Sequence, residues 1–297
     1  MSAVISAVIV NYNAGELLRS CVESFRDCPL ESEVIVVDNA STDGSLDHLR
    51  GVPGVKIIRN SANVGFAAAC NCGARVATAE FLLFLNPDCS FRSDALVSLL
   101  AAMRDRERVG MAGGFLAHLD GSEQAGGRRA VPTPWRSFVR AFGLTRFSAR
   151  WPHLFFDFHL HTQPLPDHAV EVEAISGACM LVRRKAMEDV GEWDEGYFLH
   201  CEDLDWCMRF RQNGWRILFV PSARFTHALG VCGRSRPIFV EWHKHKGMMR
   251  FFNKFFRRQY PGVLMGLVAL GVWLRFLLVA IYYTGRRAGR ALGLMRG

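Results

Sequence analysis

The sequence lacks both the cysteine spacing of a zinc-binding finger and the basic start of a secretory signal. It contains nine cysteines, an odd number, and none of them forms a C-x-x-C pair, so the spacing predicts no zinc knuckle. The first residues, MSAVISAVIVNYN, contain no Lys or Arg, whereas a secretory signal begins with a positively charged region. These absences predict a protein of a reducing compartment.

The chain also lacks internal repeats and low-complexity tracts, which excludes a solenoid or a disordered linker. Half of its 297 residues are hydrophobic and 22% are charged, which is typical of a globular protein with an ample core. The length suits one large domain or two small ones.

Acidic residues are almost absent from the C-terminal tail. From Arg234 onward the chain has 13 Lys and Arg residues and a single acid, Glu241, so the tail has a formal charge of +12 and the rest of the chain −4. A mildly acidic body joined to a basic, apolar tail predicts an anionic membrane surface as a partner. Nucleic acid is disfavoured as a partner, because nucleic-acid binders rarely need the long apolar run that this tail contains.

That apolar run, GVLMGLVALGVWLRFLLVAIYYT (262–284), is long enough to span a bilayer. Arg275 near its middle opposes insertion by roughly 2.5–3.5 kcal/mol. Both flanks are basic, so the positive-inside rule favours both ends only if both stay cytoplasmic. We therefore predict an interfacial or re-entrant helix, with a buried helix of the protein core as the alternative.

Apolar strand-like runs alternate with segments of helical spacing along the first part of the chain. The predicted strands are 5–13, 33–41, 55–60, 80–89 and 109–116, and the predicted helices are 14–28, 44–50, 65–77 and 93–105. Residues 117–168 interrupt this alternation of strands and helices, which predicts an insertion loop or lid with short helices. A strand and a helix follow over 171–191, then a helix ending at Asn213 and a last strand over 215–221. This order predicts an α/β layer with a mainly parallel sheet.

Polar residues follow the predicted strands at Asn11, Asp38, Asn86 and Asp88. Ligands of open α/β sheets bind outside the carboxyl ends of the strands. A single polar residue after a strand usually just forms a turn, but four such residues together indicate a binding site. Asp88 can offer an oxygen ligand to a hard divalent cation. His227 follows the last strand and is expected at the same edge, although a Pro-Asp turn and a structural histidine remain the alternatives.

The stretch YFLHCEDLDWCMRF (197–210) places three carboxylates within four positions, among aromatic residues. Burial of an unpaired carboxylate costs several kcal/mol or shifts its pKa. The cluster is therefore either an exposed acidic helix face or a site in which one carboxylate takes a proton. On a helix, Glu202 and Asp205 share a face, and Asp203 points about 100° away. At most two of the three carboxylates can therefore line one surface, and Asp205 lies one turn before Arg209, which predicts a structural bond between these two side chains.

The ordered motifs of this chain resemble those of glycosyltransferase family 2, most nearly its bacterial rhamnosyltransferase-like branch. They are VIVNYN, VVDNASTDGS, NVGFAAACN, FLNPD, SGACMLVRR, DEGYFLHCEDLDWCMR and then H-x-x-G-x-x-x-R-S from His227. Each motif is loose, but their order over residues 4–236 is specific. The resemblance implies a GT-A fold with a nucleotide-binding half and an acceptor half, a nucleotide-diphosphate-sugar donor, and Mg²⁺ or Mn²⁺.

The resemblance also implies a role for each candidate site residue. The general base would be Asp203, the nucleotide would contact Asn11, Asp38, Asn63 and Gly65, the acceptor would contact Glu202 and Trp206, and the metal ligands would be Asp88 and His227. Asn86 stands where the family has the first Asp of its D-x-D motif, which removes one negative charge near the metal.

These residues imply an inverting transferase that moves a sugar to a hydroxyl of a lipid-linked or polysaccharide acceptor, with dTDP-rhamnose suggested as donor by the branch. Residues 1–236 would form the catalytic domain and 237–297 a membrane-associating tail. The tail would hold the enzyme on the cytoplasmic face of the bacterial inner membrane. The sequence determines neither the sugar nor the oligomeric state.

Two other functions compete with this interpretation. A sugar nucleotidyltransferase should have a Gly-rich loop with Arg and Lys after the first strand, but that place reads NYNAGELLRS. A non-catalytic carbohydrate-binding or scaffold protein on a membrane would tolerate the loss of Asp203 and Asp88.

Overall fold

A computed structural model describes residues 3–228 and 236–291, apart from the side chains of residues 288, 290 and 291. Gly230, Arg234 and Ser235 of the H-x-x-G-x-x-x-R-S motif lie outside the described residues. The described chain forms two compact units. The sheet unit consists of residues 3–131, 158–198 and 202–228, and the helical unit consists of 132–157, 199–201 and 236–291.

The sheet unit is built on a nine-stranded sheet. Its strands, together with two that pair separately, are β1 (Ile5–Asn11), β2 (Ser32–Asp38), β3 (Val55–Arg59), β4 (Phe81–Leu85), β5 (Cys89–Phe91), β6 (Val109–Ala117), β7 (Arg128–Arg129), β8 (Val170–Glu171), β9 (Ala174–Ile175), β10 (Cys179–Arg183) and β11 (Arg216–His227). The sheet order is β3-β2-β1-β4-β10-β6-β11-β5, with β8 on β11, while β7 pairs with β9.

Helices cover both faces of this sheet. They are α1 (Leu17–Glu23), α2 (Phe66–Val76), α3 (Ser93–Arg104), α5 (Arg184–Val190) and α6 (Glu202–Gln212), with 3₁₀ turns at Ser45–Leu49 and Leu160–Thr162. Because side chains alternate along a strand, Ile5, Ala7 and Ile9 join one core cluster with α1 and α3, and Val8 faces α2 on the other side.

The predicted α/β class is confirmed, but the sheet is mixed. The run β3-β2-β1-β4 is parallel, and so is β6 with β11. In contrast, β10 lies antiparallel between β4 and β6, and β5 and β8 run antiparallel to β11. Strand direction depends on the connections, which the hydrophobic pattern of each strand does not record.

The last strand is longer than predicted. It runs from Arg216 to His227 and passes through Pro221, where the prediction ended it. The pairing with β6 shifts register between Val220 and Arg224. Proline is tolerated in a strand at such an irregularity, because no ladder hydrogen bond is needed there.

The helical unit contains α4 (Pro134–Ala141), α7 (Pro237–Phe255) and α8 (Gly262–Ala291), with a 3₁₀ turn at Leu144–Phe147. Short helices were predicted for the insertion, and α4 and this turn confirm them. Within α8, Gly262–Arg287 is long and apolar enough to cross a membrane, with mean hydropathy 2.3 and only 11% of its most apolar window buried. Leu267 and Leu278 are 59% and 68% exposed, so α8 is not the buried core helix of the alternative prediction.

Arg275 of α8 is not isolated. Its Nη1 donates to His245 Nε2 of α7 at 3.1 Å, and His245 Nδ1 donates to the Glu241 carbonyl at 2.7 Å. Burial lowers the pKa of His245, so the ring is neutral and accepts from the guanidinium. Trp242 of α7 and Trp273 of α8 also pack, with ring centroids 5.1 Å apart. The two helices therefore form a pair with an internal polar contact.

We predict that Gly73→Ala destabilises the sheet unit. Alanine normally stabilises a helix relative to glycine, but a Cβ on Gly73 of α2 would lie 2.3 Å from Val8 Cγ1 of β1. The overpacking should cost about 1–3 kcal/mol and lower the melting temperature of detergent-solubilised protein. Gly271→Ala is the matched control, since no atom lies within 4 Å of a Cβ there. Equal melting temperatures for the two variants would contradict this packing.

Candidate functional site

The first part of the site forms where β1 and β2 end side by side. The register pairs Asn11 with Asp38. The Asn11 amide donates to Asp38 Oδ1 at 2.7 Å and to the hydroxyls of Ser41 and Ser45 at 3.0 and 2.8 Å. Asn11 is completely buried, so it positions the Asp38 carboxylate. Contact of Asn11 itself with a nucleotide stays a prediction.

The loop before α2 is tied to the same strand end. Gly65 has a φ of +89°, and a Cβ there would lie 2.7 Å from the Phe198 carbonyl oxygen, so only glycine fits. The Gly65 N–H donates to Asn63 Oδ1 at 3.0 Å, and its carbonyl accepts from Asn39 Nδ2 at 3.1 Å. Asn39 directly follows Asp38, so Asn63 and Gly65 lie on a loop held at the end of β2. Their contact with a nucleotide stays a prediction.

Asp88 and His227 lie together at the sheet edge formed by the carboxyl ends of the parallel strands. The contact with Gln124 determines the tautomer of His227. His227 Nε2 lies 3.1 Å from Asp88 Oδ1 and 3.4 Å from the Asn86 amide nitrogen. His227 Nδ1 lies 2.8 Å from Gln124 Oε1. Gln124 Nε2 donates to the carbonyls of His227 and Ala117 at 2.7 and 3.2 Å, which leaves Oε1 as the acceptor. His227 Nδ1 therefore carries a proton, and in the neutral ring Nε2 presents its lone pair to Asp88.

A divalent cation bound between them would satisfy both the Nε2 lone pair and the Asp88 carboxylate. Two ligands at right angles, each about 2.1 Å from Mg²⁺, lie about 3 Å apart, which matches the 3.1 Å between Asp88 and His227. Cys89 is close enough to be a third ligand. However, burial and the Asp88 charge raise the pKa of its thiol, and Sγ donates to the Ala178 carbonyl at 3.5 Å. The Asp88 carboxylate suits Mg²⁺ or Mn²⁺, and the His227 imidazole can complete the shell of such a cation, although it prefers softer metals.

Three groups hold the Asp203 carboxylate. Arg129 Nη2 donates to Oδ2 in an ion pair, and the Gly177 N–H donates to the same oxygen at 3.2 Å. The Leu204 N–H donates to Oδ1 at 2.8 Å. The side chains of Asp203 and Arg129 are 13% and 17% exposed, so the carboxylate is held in place and still reaches solvent.

Glu202 is buried beside this pair. Burial and, second, the charge of Asp203 raise the pKa of Glu202 to about 8. Its Oε2 has no hydrogen-bond partner among the described residues, which suits a neutral carboxylic acid. At neutral pH the acidic cluster therefore carries less charge than its sequence suggests. Acceptor binding by Glu202 stays a prediction.

The remaining residues of the cluster are structural. Asp205 is fully buried and accepts from Arg209 Nε at 2.7 Å, as predicted. Trp206 is fully buried as well; its ring centroid lies 4.1 Å from that of Trp193, and its Nε1 donates to the Gly191 carbonyl at 2.9 Å. The Trp206 side chain does not reach solvent in this structure, and its contact with an acceptor stays a prediction.

One loop connects the Asp203 pair to the Asp88 pair. The Asn86 N–H donates to the Ala178 carbonyl at 3.0 Å, and the preceding residue, Gly177, donates to Asp203. A Cβ on Gly177 would lie 3.3 Å from Asp203 Cβ, so the contact is close. The carboxylate of α6 and the end of β4 thus belong to one site of the sheet unit.

Left-handed backbone conformations mark the same loops. Four non-glycine residues of the described chain have φ between 53° and 70°: Asn13, Ala40, His200 and Cys201. The first two follow β1 and β2, and the last two precede α6. Such conformations cost of order 1–3 kcal/mol each and cluster at functional sites.

Sequence reasoning missed Gln124 and Arg129. Both lie in the stretch 117–168, which was predicted as an insertion loop or lid. Gln124 belongs to no motif and left no signal. The sequence does contain a signal for Arg129. A partly buried acidic cluster needs a cationic partner, and Arg128 and Arg129 are two adjacent basic residues within that loop.

We predict that Glu202→Gln stabilises the protein as pH rises. With a folded-state pKa of about 8 and an unfolded value near 4.3, folded protein keeps the Glu202 proton over this range and unfolded protein loses it. Native stability therefore falls between about pH 4.5 and pH 8, and the variant escapes this loss. Its melting temperature should match that of the native protein at pH 4.5 and exceed it at pH 8.

Glu107→Gln, at an exposed position, is the control and should show no pH-dependent difference. If the Glu202 variant gave the same difference in melting temperature at both pH values, the neutral state of Glu202 would be wrong.

Comparisons with known proteins identify the family of this chain. The sequence profile described as "Glycosyl transferase family 2" matches residues 6–191, and one described as "Glycosyl transferase family group 2" matches residues 128–285. An N-acetylglucosaminyl-diphospho-decaprenol L-rhamnosyltransferase of Mycobacterium tuberculosis is 29% identical over 242 residues, 76% of each chain. A dTDP-rhamnosyl transferase of Shigella flexneri is 26% identical over 263 residues, 85% of this chain and 78% of the relative.

Among solved structures, a mannosyltransferase from Pyrobaculum calidifontis in complex with GDP-Man and Mn²⁺ has a TM-score of 0.57 and 18% identity. The match covers all of this chain and 82% of that one, and it supports the GT-A-like fold. The first profile covers more than half of the chain and includes β1 to β10. The protein is therefore a member of glycosyl transferase family 2 and an enzyme of the glycosyltransferase type.

Proposed function

We propose that the protein is a metal-dependent, inverting glycosyltransferase that acts on a hydroxyl of a lipid-linked or polysaccharide acceptor in cell-envelope glycan synthesis. The observation that carries this proposal is the 3.1 Å pair of Asp88 and His227, joined through one loop to the Asp203 carboxylate. A metal-ligand pair and a solvent-accessible carboxylate at one sheet edge are what metal-assisted transfer to a hydroxyl requires.

Asp203 acts as the general base in this mechanism. An acceptor hydroxyl is a poor nucleophile at neutral pH, and Asp203 takes its proton as the oxygen bonds to the anomeric carbon. Arg129 and the Gly177 N–H orient the carboxylate. Because a single base supports direct attack from one face, the configuration at the anomeric carbon is inverted.

Asp88 and His227 would hold the divalent cation, Mg²⁺ or Mn²⁺. When bound, the cation offsets the charge that develops on the departing nucleotide diphosphate. Gln124 orients His227 by accepting from Nδ1, so Nε2 is available as a ligand. Asn86 supplies an amide in place of a carboxylate, which leaves the site with fewer negative charges.

The nucleotide end of the donor is assigned to the loops around Asp38, Asn63 and Gly65. Asn11 and Asn39 act through hydrogen bonds that hold those loops. The donor we favour is dTDP-rhamnose. The support comes from the names of two relatives, the M. tuberculosis L-rhamnosyltransferase and the S. flexneri dTDP-rhamnosyl transferase.

The acceptor and the location are proposed together. The M. tuberculosis relative is named for a diphospho-decaprenol acceptor, and an enzyme that uses a lipid-linked acceptor must work at a membrane. We assign residues 1–236 to catalysis and 237–297 to attachment at the cytoplasmic face of the bacterial inner membrane. The exposed apolar surface of α8 supports attachment, and the contact of Arg275 with His245 supports an interfacial or re-entrant helix pair.

We expect Asp203→Asn to bind donor normally and to lose most transfer, because general-base catalysis contributes roughly 10²–10⁴-fold. Transfer can be followed by mass spectrometry and donor binding by calorimetry. Glu202→Gln is the matched neighbouring variant, and it should have a milder effect. Near-native turnover by Asp203→Asn would remove Asp203 from the role of base.

Nucleotide-diphosphate binding should require Mg²⁺ or Mn²⁺ and weaken with a chelator. Asp88→Ala should reproduce the effect of the chelator, and His227→Ala should do so in part. Gln124→Leu removes the hydrogen bond to Nδ1 and should weaken metal-dependent binding about 10–100-fold. Gln163→Leu, at an exposed position, is the control. Full binding and activity without metal would exclude Asp88 and His227 as ligands.

The donor can be identified by calorimetry with a panel of nucleotide sugars. We expect dTDP-rhamnose to bind in the presence of Mn²⁺ and to be consumed when an acceptor is supplied. Tight binding of a UDP-hexose together with no binding of dTDP would reject the rhamnose assignment and leave the transferase assignment intact.

A further inference from the structure

The insertion within the helical unit has an unusual composition. Residues 132–156, the arginine–aromatic segment, contain four arginines, two tryptophans and five phenylalanines but no Asp or Glu. They are Trp135, Arg136, Phe138, Arg140, Phe142, Arg146, Phe147, Arg150, Trp151, Phe155 and Phe156. The catalytic assignments above use none of these side chains.

One face of α4 presents aromatic rings to solvent. Trp135, Phe138 and Phe142 are 43%, 42% and 66% exposed. Their ring centroids lie 5.6 Å and 4.5 Å apart in sequence order, so they form a continuous stripe. Beside this stripe, one turn from Trp135, Val139 is fully buried and anchors the helix.

This helix is well formed at its start. Thr133 caps it by accepting from the Arg136 N–H at 3.1 Å, and Pro134 occupies the first turn. The aromatic stripe therefore lies on a capped helix with a buried anchor. Because this helix is already ordered, presenting the rings to a partner costs little further conformational entropy.

The end of the segment repeats the pattern. Phe147, Trp151 and Leu154 are 37%, 46% and 54% exposed. The guanidinium carbons of Arg146 and Arg150 lie 4.8 Å and 5.2 Å from the ring centroids of Phe147 and Trp151. Neither arginine forms an ion pair with a carboxylate of the described chain, so both charges can meet an external anion.

The segment adjoins the start of α8. A cavity of about 460 Å³ is lined by Tyr260, which lies two residues before Gly262, and by seven residues of the segment: Thr133, Trp135, Arg136, Pro152, His153, Leu154 and Phe156. Arg136 faces this space with its guanidinium carbon 5.1 Å from the Phe156 ring centroid. The segment and the beginning of the apolar helix thus share one apolar cavity with a cationic side chain.

We propose that the arginine–aromatic segment docks on the surface of an anionic phospholipid bilayer. Aromatic rings lie at the boundary between headgroups and acyl chains, and arginines bury their stems there and pair with phosphate. A second copy of this face is a poor occupant, because Arg146 and Arg150 would meet the same two arginines, and the nearby carboxylate of Asp157 already pairs with Arg140. This contact is a second membrane attachment, in addition to the one through α8.

The test measures whether position 142 becomes covered on the membrane. Full-length Phe142→Cys is reconstituted into vesicles of phosphatidylcholine alone or with 30% phosphatidylglycerol, and its labelling by a charged, water-soluble maleimide is timed against the native background. Leu119→Cys, in a turn of the sheet unit that is 82% exposed, is the control. Melting temperatures confirm that both variants are folded.

We expect labelling at position 142 to slow about tenfold in anionic vesicles at low salt, since each basic residue near the surface contributes about fivefold. The slowing should disappear at high salt and be absent in neutral vesicles. Labelling at position 119 should have the same rate in neutral vesicles and in anionic vesicles at low and high salt. Adding Arg146→Gln and Arg150→Gln should abolish the slowing, whereas the matched pair Arg104→Gln and Arg106→Gln should not.

Equal labelling at position 142 in anionic and neutral vesicles would overturn the proposal, whether the rate is fast or slow. Protection that appears without lipid and grows with protein concentration would overturn it too, and would identify a second copy as the occupant. The readout is a location and not a rate of transfer, so it is independent of whether the proposed sugar transfer is correct.

Discussion

The site depends on the parallel pairing of β1 with β2 on one side and β4 on the other. Every residue of β1 is buried, and its register sets Asn11 beside Asp38 and Ile9 beside Leu85. Three strand ends are thereby brought to one edge, and the loops after them carry the polar groups. Because a shift of one residue would turn each side chain to the other face, the buried packing of β1 also determines the chemistry at its end.

Carboxyl groups at this edge are stabilised in different ways. Asp205 is fully buried and bound to Arg209, Asp38 accepts from the Asn11 amide, and Asp203 pairs with Arg129 at the boundary with solvent. Glu202 lacks such a partner and retains its proton to about pH 8. Burial without a cation therefore keeps one acid neutral, while the paired Asp203 stays accessible, and this difference separates structural acids from the candidate base.

The helical unit has a different physical character. Its surface carries exposed apolar and aromatic side chains together with arginines, both on α8 and on the arginine–aromatic segment. Water is a poor solvent for such a surface, whereas the boundary of a bilayer accommodates rings, aliphatic stems and cations at once. Segments 132–157 and 236–291 are far apart in sequence yet belong to the same compact unit, so membrane affinity is concentrated in a part of the molecule that contains none of the proposed catalytic residues.

Local pattern by itself determined the strands and helices, the polar strand ends and the bond between Asp205 and Arg209, since each depends on residues close together in the chain. It could not determine that β10 runs antiparallel between β4 and β6, that Trp206 is in the core, or that Asn11 acts through Asp38. Nor could it find the partners that lie far away in sequence, Arg129 for Asp203 and Gln124 for His227, which are 74 and 103 residues apart. Those contacts form only when the sheet closes, because tertiary packing decides which loops meet and which side chains lose access to water.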